Sequence, residues 1–182
     1  MRKLDRAIQL LRIKKAIQFI PDGASVLDIG CMEGELFKYL GDRIGSGIGV
    51  DPRLPFPVYT PHYELIPGRW PEDVPPAMAF DVVTLLAVIE HLPEDILAIF
   101  NSRCARMMKP GGRLILTVPS PFVDVLLRVL MTLRLMDAIA FEEHHGFVPE
   151  NIFEFIGPPY FRLYHHERFE FGFNNIFVFA RI

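Results

Sequence analysis

Cysteine is scarce in this chain of 182 residues, with Cys31 and Cys104 the whole complement. Two thiols cannot build a disulfide framework, so the sequence fits a reducing, cytoplasmic setting. Basic charge is not in excess either, since 19 lysines and arginines face 22 acidic residues for a net charge of −3. Without a basic stripe, nucleic acid is not an expected partner. The longest apolar stretch, 122–141, is broken by Asp124, Arg128, Arg134 and Asp137, which excludes a bilayer span. The charged start, Met1 to Arg6, leads into no apolar run with a small-residue cleavage site, so no signal peptide is expected. Disorder is excluded as well, because 51% hydrophobic and 23% charged residues is a globular composition. The length suits one domain spanning residues 1–182 with its own core.

What is present is an alternation of short apolar runs and helical tracks. Leu4, Ile8, Leu11, Lys15 and Gln18 share one helical track, predicting a first helix within residues 1–20 that ends before Pro21-Asp22-Gly23. Ser25 to Ile29 reads as a buried strand, followed by a Gly30…Gly34 turn and a helix from about Glu35 to Leu40. Gly47 to Asp51 is a second strand. Eight prolines between Pro52 and Pro76 predict mostly loop, with one short strand near Glu64-Leu65-Ile66. Asp81–Leu86 and Arg113–Val118 are further strands around a helix from about Pro93 to Met108, which the Lys109-Pro110-Gly111-Gly112 turn caps. A helix is expected over 122–140 and a shorter one over Pro149–Ile156. Two aromatic strands close the chain, Tyr160–Phe171 and Asn175–Ile182, and their short connection allows only an antiparallel hairpin. The pattern predicts an α/β fold: a Rossmann-like, doubly wound, mostly parallel sheet of seven strands with helices on both faces.

The segment Val26-Leu27-Asp28-Ile29-Gly30-Cys31-Met32-Glu33-Gly34 carries the most information. A strand bending sharply into a helix exposes backbone N–H groups, and missing side chains let a ligand approach them. Asp51 ends the next strand, 21 residues after Gly30, where α/β sites place a carboxylate against ribose hydroxyls. The dinucleotide fingerprint G-x-G-x-x-G fails at Met32 and Glu35, and no G-K-[ST] follows. Both a nicotinamide-dependent oxidoreductase and a P-loop enzyme are thereby disfavoured. The spacing present is D-x-G-x-x-x-G.

This segment resembles motif I of the class I S-adenosylmethionine-dependent methyltransferases, and other segments fall in the same order. Asp51 matches the acid after the second strand of that family. Phe80-Asp81-Val82-Val83 with Val88-Ile89-Glu90-His91-Leu92 resembles the fourth-strand segment of its metabolite-methyltransferase group. Met108 to Leu114 is similar to the group's L-K-P-G-G turn, and Glu143 to Glu150 to a late histidine-containing segment; together the match covers roughly residues 24–182. The resemblance implies transfer of a methyl group from S-adenosylmethionine to a small-molecule acceptor, leaving S-adenosylhomocysteine. It implies that Asp28 with the backbone of Gly30, Cys31 and Gly34 holds the methionine part of the cofactor. Asp51, with Pro52 alongside, would bind the ribose, and Leu86 and Ala87 would touch the adenosine and methionine. Two departures stand out. Met32 replaces the usual second glycine. Arg69 replaces an acid that accepts from the adenine amino group, and since arginine has no acceptor, adenine is expected to be held by backbone contacts and by stacking on Trp70 or Arg69.

Methyl transfer from a sulfonium chiefly requires alignment and exclusion of water. A base is required only for a protonated acceptor such as a hydroxyl. Glu90 and His91, after the fourth-strand segment, are the first candidates, with orientation of the local turn as their alternative role. His144, with His145 beside Glu142 and Glu143, is the second, and no ligand spacing supports a metal there. His165 and His166 alternate across a strand and read as structural. Cys31 sits at a helix start that could lower a thiol pKa, though backbone contact is its expected role. The apolar surplus between Phe122 and Phe141 suits an acceptor-site lid over residues 120–158, or else contact with a membrane surface. The acceptor atom, oxygen or nitrogen, stays open, as does the oligomeric state. The alternative to an enzyme is a catalytically silent module that binds the cofactor or a protein partner.

Overall fold

The computed structural model describes residues 3–75, 79–120 and 148–182. The chain begins with helix α1 (Lys3–Ala16) and a 3-10 turn, and enters strand β1 (Ser25–Ile29). Helix α2 (Glu35–Leu40) leads to β2 (Ser46–Asp51), and the proline-rich stretch follows with β3 (Val58–Tyr59) and β4 (Tyr63–Pro67). Next come β5 (Phe80–Leu86), α3 (Glu94–Arg106) and β6 (Met108–Pro119). After residue 148 a 3-10 turn opens α4 (Ile152–Phe155), and the chain ends in β7 (Phe161–Phe169) and β8 (Asn174–Arg181). The helix expected over 122–140 lies outside the described residues.

The sheet has eight strands in the order β3-β4-β2-β1-β5-β6-β8-β7, one more than the sequence predicts. Strands β4, β2, β1, β5 and β6 are mutually parallel, while β8 runs antiparallel between β6 and β7. The additional strand, β3, pairs antiparallel with β4 through a tight turn among the prolines. Thr60 makes that turn: its N–H donates to Tyr63 O at 2.9 Å, and its hydroxyl receives the Tyr63 N–H at 2.9 Å. Pro61 then occupies the position whose fixed φ a turn favours. The Lys109-Pro110-Gly111-Gly112 segment departs from expectation too. It belongs to the start of β6 rather than to a helix cap, because Met108 already pairs with Phe80 and a register shift absorbs the glycines.

Both faces of the sheet are covered. α1 and α2 bury Ile13, Ala16, Leu36, Phe37 and Leu40 against Val26, Val82, Ile115, Ile176 and Val178. α3 and α4 bury Leu97, Phe100, Cys104 and Ile152 against Leu27, Leu85, Leu116, Phe177 and Phe179. Strand alternation assigns the two faces: in β8, Ile176 and Val178 face α1, while Phe177 and Phe179 face α4. Phe177 is 1% exposed and lies in a stack with His166, ring centroids 4.2 Å apart, and edge-on to Phe153 at 5.8 Å. Phe171, in the β7–β8 turn, is fully exposed. Replacing Phe177 with Ala is expected to cost about 3–5 kcal/mol of stability. Phe171→Ala should change it by less than about 0.5 kcal/mol in the same denaturant titration.

Candidate functional site

The parallel strands deliver their carboxyl ends to one edge of the sheet, which is where ligands sit in open α/β folds. At this edge the chain leaves β1 through Gly30, Met32 and Gly34, with φ of 75°, 48° and 74°. Gly30 has no room for a side chain: a Cβ there would stand 2.4 Å from Val88 Cγ2. The bend after β1 therefore packs directly on the turn after β5. A Cβ at Gly34 would meet the Leu65 side chain of β4 at 2.9 Å. The bend is also tied to β2, since Gly30 N–H donates to Val50 O at 2.8 Å and Met32 N–H to Asp51 Oδ2 at 2.9 Å.

Asp51 is 1% exposed, and its other oxygen receives the Arg53 N–H at 2.8 Å, with Arg53 Nε at 3.7 Å. Asp28, in the middle of the sheet, accepts a hydrogen bond of 2.6 Å from the Thr84 hydroxyl. Burial raises the Asp28 carboxyl to about 7, and the nearby Asp51 charge adds to the rise although Thr84 opposes it. Ala87 adopts φ 57° after β5, rare for a residue with a side chain, and its N–H donates to Thr117 O at 3.0 Å. Pro52 is exposed beside Asp51, and Leu86 and Ala87 are half-buried.

One expectation changes at this edge. Trp70 is not free to stack on adenine: it is 5% exposed, its N–H points to Met107 Sδ at 3.3 Å, and its ring rests 5.0 Å from that of Phe100. The Cys31 thiol is pushed up by burial and by the Asp28 and Asp51 charges, so the helix start does not lower it. Arg69 is exposed, and its backbone N–H donates to Asp73 Oδ2 at 2.8 Å, which sets the Asp73 carboxylate beside it.

Of the candidate bases, Glu90 is buried at 5% exposure and His91 is exposed, next to one another in a 3-10 turn after β5. His144 and His145 lie outside the described residues, as does most of the expected lid. His165 and His166 do face opposite sides, against Phe19 and Phe177. Ser120, Pro149, Glu150, Arg168, Phe171, Gly172 and Asn175 line a cavity of about 360 Å³ at the end of β6. Among the described residues no group of three or more His, Cys, Asp or Glu could hold a metal ion, and no helix is long and apolar enough to cross a membrane.

Other polar groups at this edge were not singled out from sequence. Arg12 reaches down from α1, and its Nε donates to Asn174 Oδ1 at 2.9 Å. Asn174 in turn donates to Glu170. Thr84 and Thr117 each interrupt an apolar strand, and a polar residue in such a place calls for a partner. That signal was available in the sequence for both.

A methyltransferase domain model matches residues 2–157. The ubiquinone biosynthesis O-methyltransferase of Idiomarina loihiensis is 33% identical over 138 residues, 70% of this chain and 52% of that protein. Its counterpart from Pseudomonas paraeruginosa is 31% identical over 106 residues, 52% of this chain and 44% of that protein. The chain thus spans about half the length of the curated relatives it matches. Among solved structures, the N-methyltransferase NodS of Bradyrhizobium japonicum with S-adenosyl-L-homocysteine has a TM-score of 0.65 at 13% identity, covering 99% of this chain and 88% of that one. The 1,6-didemethyltoxoflavin-N1-methyltransferase of Burkholderia thailandensis has a TM-score of 0.68 at 16% identity, covering 98% and 79%. These structures share the fold seen here. With its family model running from the first helix into α4, the chain belongs to the methyltransferase domain family.

Proposed function

We propose that this chain transfers the methyl group of S-adenosylmethionine to an oxygen of a small-molecule acceptor. The observation that carries the reading is the left-handed bend from Gly30 to Gly34, closed against Asp51 and backed by Asp28. Membership of the methyltransferase family supports it, and so do relatives named as O-methyltransferases. Nitrogen transfer is the other outcome the fold accommodates.

The residues fit a cationic nucleoside. Asp28 and Asp51 put two carboxylates beside one bend, and Asp28 is pushed toward its neutral form for want of a positive partner. A ligand bearing an ammonium and a sulfonium would supply that partner. Backbone groups of Gly30, Cys31 and Gly34 would line the methionine part, with Leu86 and Ala87 across from them. Asp51 would take the ribose hydroxyls with Pro52 alongside. Each carboxylate oxygen has two acceptor positions, and the Arg53 side chain, 73% exposed, is a weak competitor for one of them. In place of Arg69 and Trp70, Asp73 would accept from the adenine amino group. When bound, the cofactor supplies a methyl carbon whose bond to sulfur breaks, the pair staying on sulfur, as the acceptor's bond forms. The chain's part is to align the partners and exclude water.

Two outcomes are expected. S-adenosylhomocysteine at a hundredfold excess over its dissociation constant should stabilise the protein by about 2.7 kcal/mol, read as a rise in melting temperature. Asp51→Ala should weaken that binding about tenfold or more while circular dichroism stays unchanged. A melting temperature indifferent to the nucleoside would remove the enzyme reading, and binding without turnover on any acceptor would favour the silent module.

Asp28 gives a pH test. An ordinary aspartate titrates near about 4, and Asp28 in the fold near about 7. The folded state therefore holds the proton longer, so this group's contribution is complete at low pH and is lost as pH rises to 7. Asp28→Asn should accordingly melt several degrees above the parent at pH 8 without ligand, and that gain should shrink by pH 5. The same variant should bind S-adenosylhomocysteine more weakly. Equal melting at pH 8 would mean that the carboxyl bears no burial penalty.

A further inference from the structure

Beyond the cofactor bend, the described residues hold a second polar cluster with unmet hydrogen-bonding capacity. Among the described residues, four buried side-chain oxygens have no hydrogen-bond partner on another residue: both of Glu90, Thr117 Oγ1 and Glu170 Oε1. They gather on one face of the sheet. Thr117 alternates with Ile115, which faces α1, and its neighbours in register are Leu86 of β5 and Ile176 of β8. Asn174 alternates with Ile176 in the same way and links Glu170 to Arg12. Glu90 follows Leu86 by four residues, in the turn whose Val88 packs on Gly30. α1 covers this cluster, and Gln9, one turn before Arg12, touches Met32 Sδ of the cofactor bend at 3.6 Å.

A buried carboxylate that no other residue hydrogen-bonds is costly and needs an explanation. Arg12 supplies charge but no hydrogen bond to Glu90. Two carboxylates against one guanidinium would repel an anion. Thr117 Oγ1 can donate as well as accept, which matches a hydroxyl that does both. We propose that this cluster receives the hydroxyl of the methyl acceptor: Glu90 takes its hydrogen bond and then its proton, and Arg12 is the positioning residue whose charge favours the carboxylate form of Glu90. The inference rests on the methyltransferase reading and names the substrate class for it. The O–H bond breaks as the new O–C bond forms, the proton goes to Glu90, and it leaves to solvent when the methylated product departs.

Burial pushes the Glu90 carboxyl up, while its own backbone N–H and then the charges of His91 and Arg12 pull it back. Glu170 also faces Arg12 and competes for its charge. Removing Arg12 should therefore raise the Glu90 titration further.

Phenol and its methyl ether anisole are the probes, bound to the full chain with S-adenosylhomocysteine present. The wild type should prefer phenol about tenfold or more. Glu90→Met should abolish the preference, whereas Glu90→Gln, which still accepts a hydrogen bond, should keep most of it. With S-adenosylmethionine, methylation of phenol by Glu90→Gln should fall about 100-fold or more in kcat, with KM nearly unchanged. Carboxyl-carbon NMR, with Glu90 assigned from the Glu90→Gln spectrum, should show Glu90 titrating higher in Arg12→Met and returning in Arg12→Lys. The thermal shift with S-adenosylhomocysteine should survive in every variant. Equal binding of phenol and anisole, no methylation of phenol by the wild type, or an unmoved Glu90 titration in Arg12→Met would each overturn the proposal. Loss of the S-adenosylhomocysteine shift in the wild type would instead overturn the methyltransferase reading beneath it.

Discussion

One hydrogen bond organises the carboxyl edge of this sheet: the Met32 N–H held by the buried Asp51 carboxylate at 2.9 Å. The residue it holds is a methionine at φ 48°, where a side chain costs roughly 1–2 kcal/mol. A hydrogen bond to a charged group is worth about 1.5–3 kcal/mol, enough to keep the bend in place without a second glycine. Met32 is thus tolerable because Asp51 stands opposite it. The same contact fixes where Gly30 meets Val88, and through Val88 it fixes the turn that carries Glu90. The proposed cofactor loop and acceptor site share this packing.

The edge is also unusual in its charge. Asp28, Asp51, Glu90 and Glu170 crowd one end of the sheet, with Arg12 and Arg53 opposing them. Water would screen surface carboxylates from one another, but Asp28 is 4% exposed and Glu90 5%. Burial makes each of these two harder to ionise, and at Asp28 the nearby Asp51 charge adds to the rise. A protein selected for stability alone would replace such groups with apolar residues of similar size. Keeping them costs stability, and the arrangement makes physical sense when a cation or a hydrogen-bond donor completes it.

How much of this could be read from the residues follows from the range of each interaction. The strand Ser25–Ile29, the bend, α2 and Asp51 were legible because local pattern and turn chemistry determine them within a few residues. The C-terminal hairpin was legible because its connection is too short for any other pairing. β3 was hidden because prolines usually end strands, and only the Thr60 turn reveals how two residues still pair. Trp70 was misplaced because its position next to Gly68 and Arg69 says nothing of Phe100 and Met107, which bury it from far along the chain. Arg12 left the faintest trace of all. It sits in a helix of mixed pattern, and its partner Asn174 is 162 residues away. No local rule links the two.

That long link makes α1 part of the site as well as of the core. Ile13 and Ala16 bury it against the sheet, and Lys15 pairs with Glu167 at 2.6 Å on β7. Arg12 lies between these anchors and cannot be withdrawn from Glu90 and Glu170 without disturbing them. A guanidinium on a flexible loop would turn to water, where its hydration is better, and leave the two carboxylates to repel each other. Mounted on a helix packed by apolar neighbours, it stays half-buried although desolvation weighs against its charge. The hydrophobic face of α1 therefore supplies the free energy that holds a charged residue where the proposed chemistry needs it. In this sense the first helix, the last strand and the turn after β5 form a single functional unit.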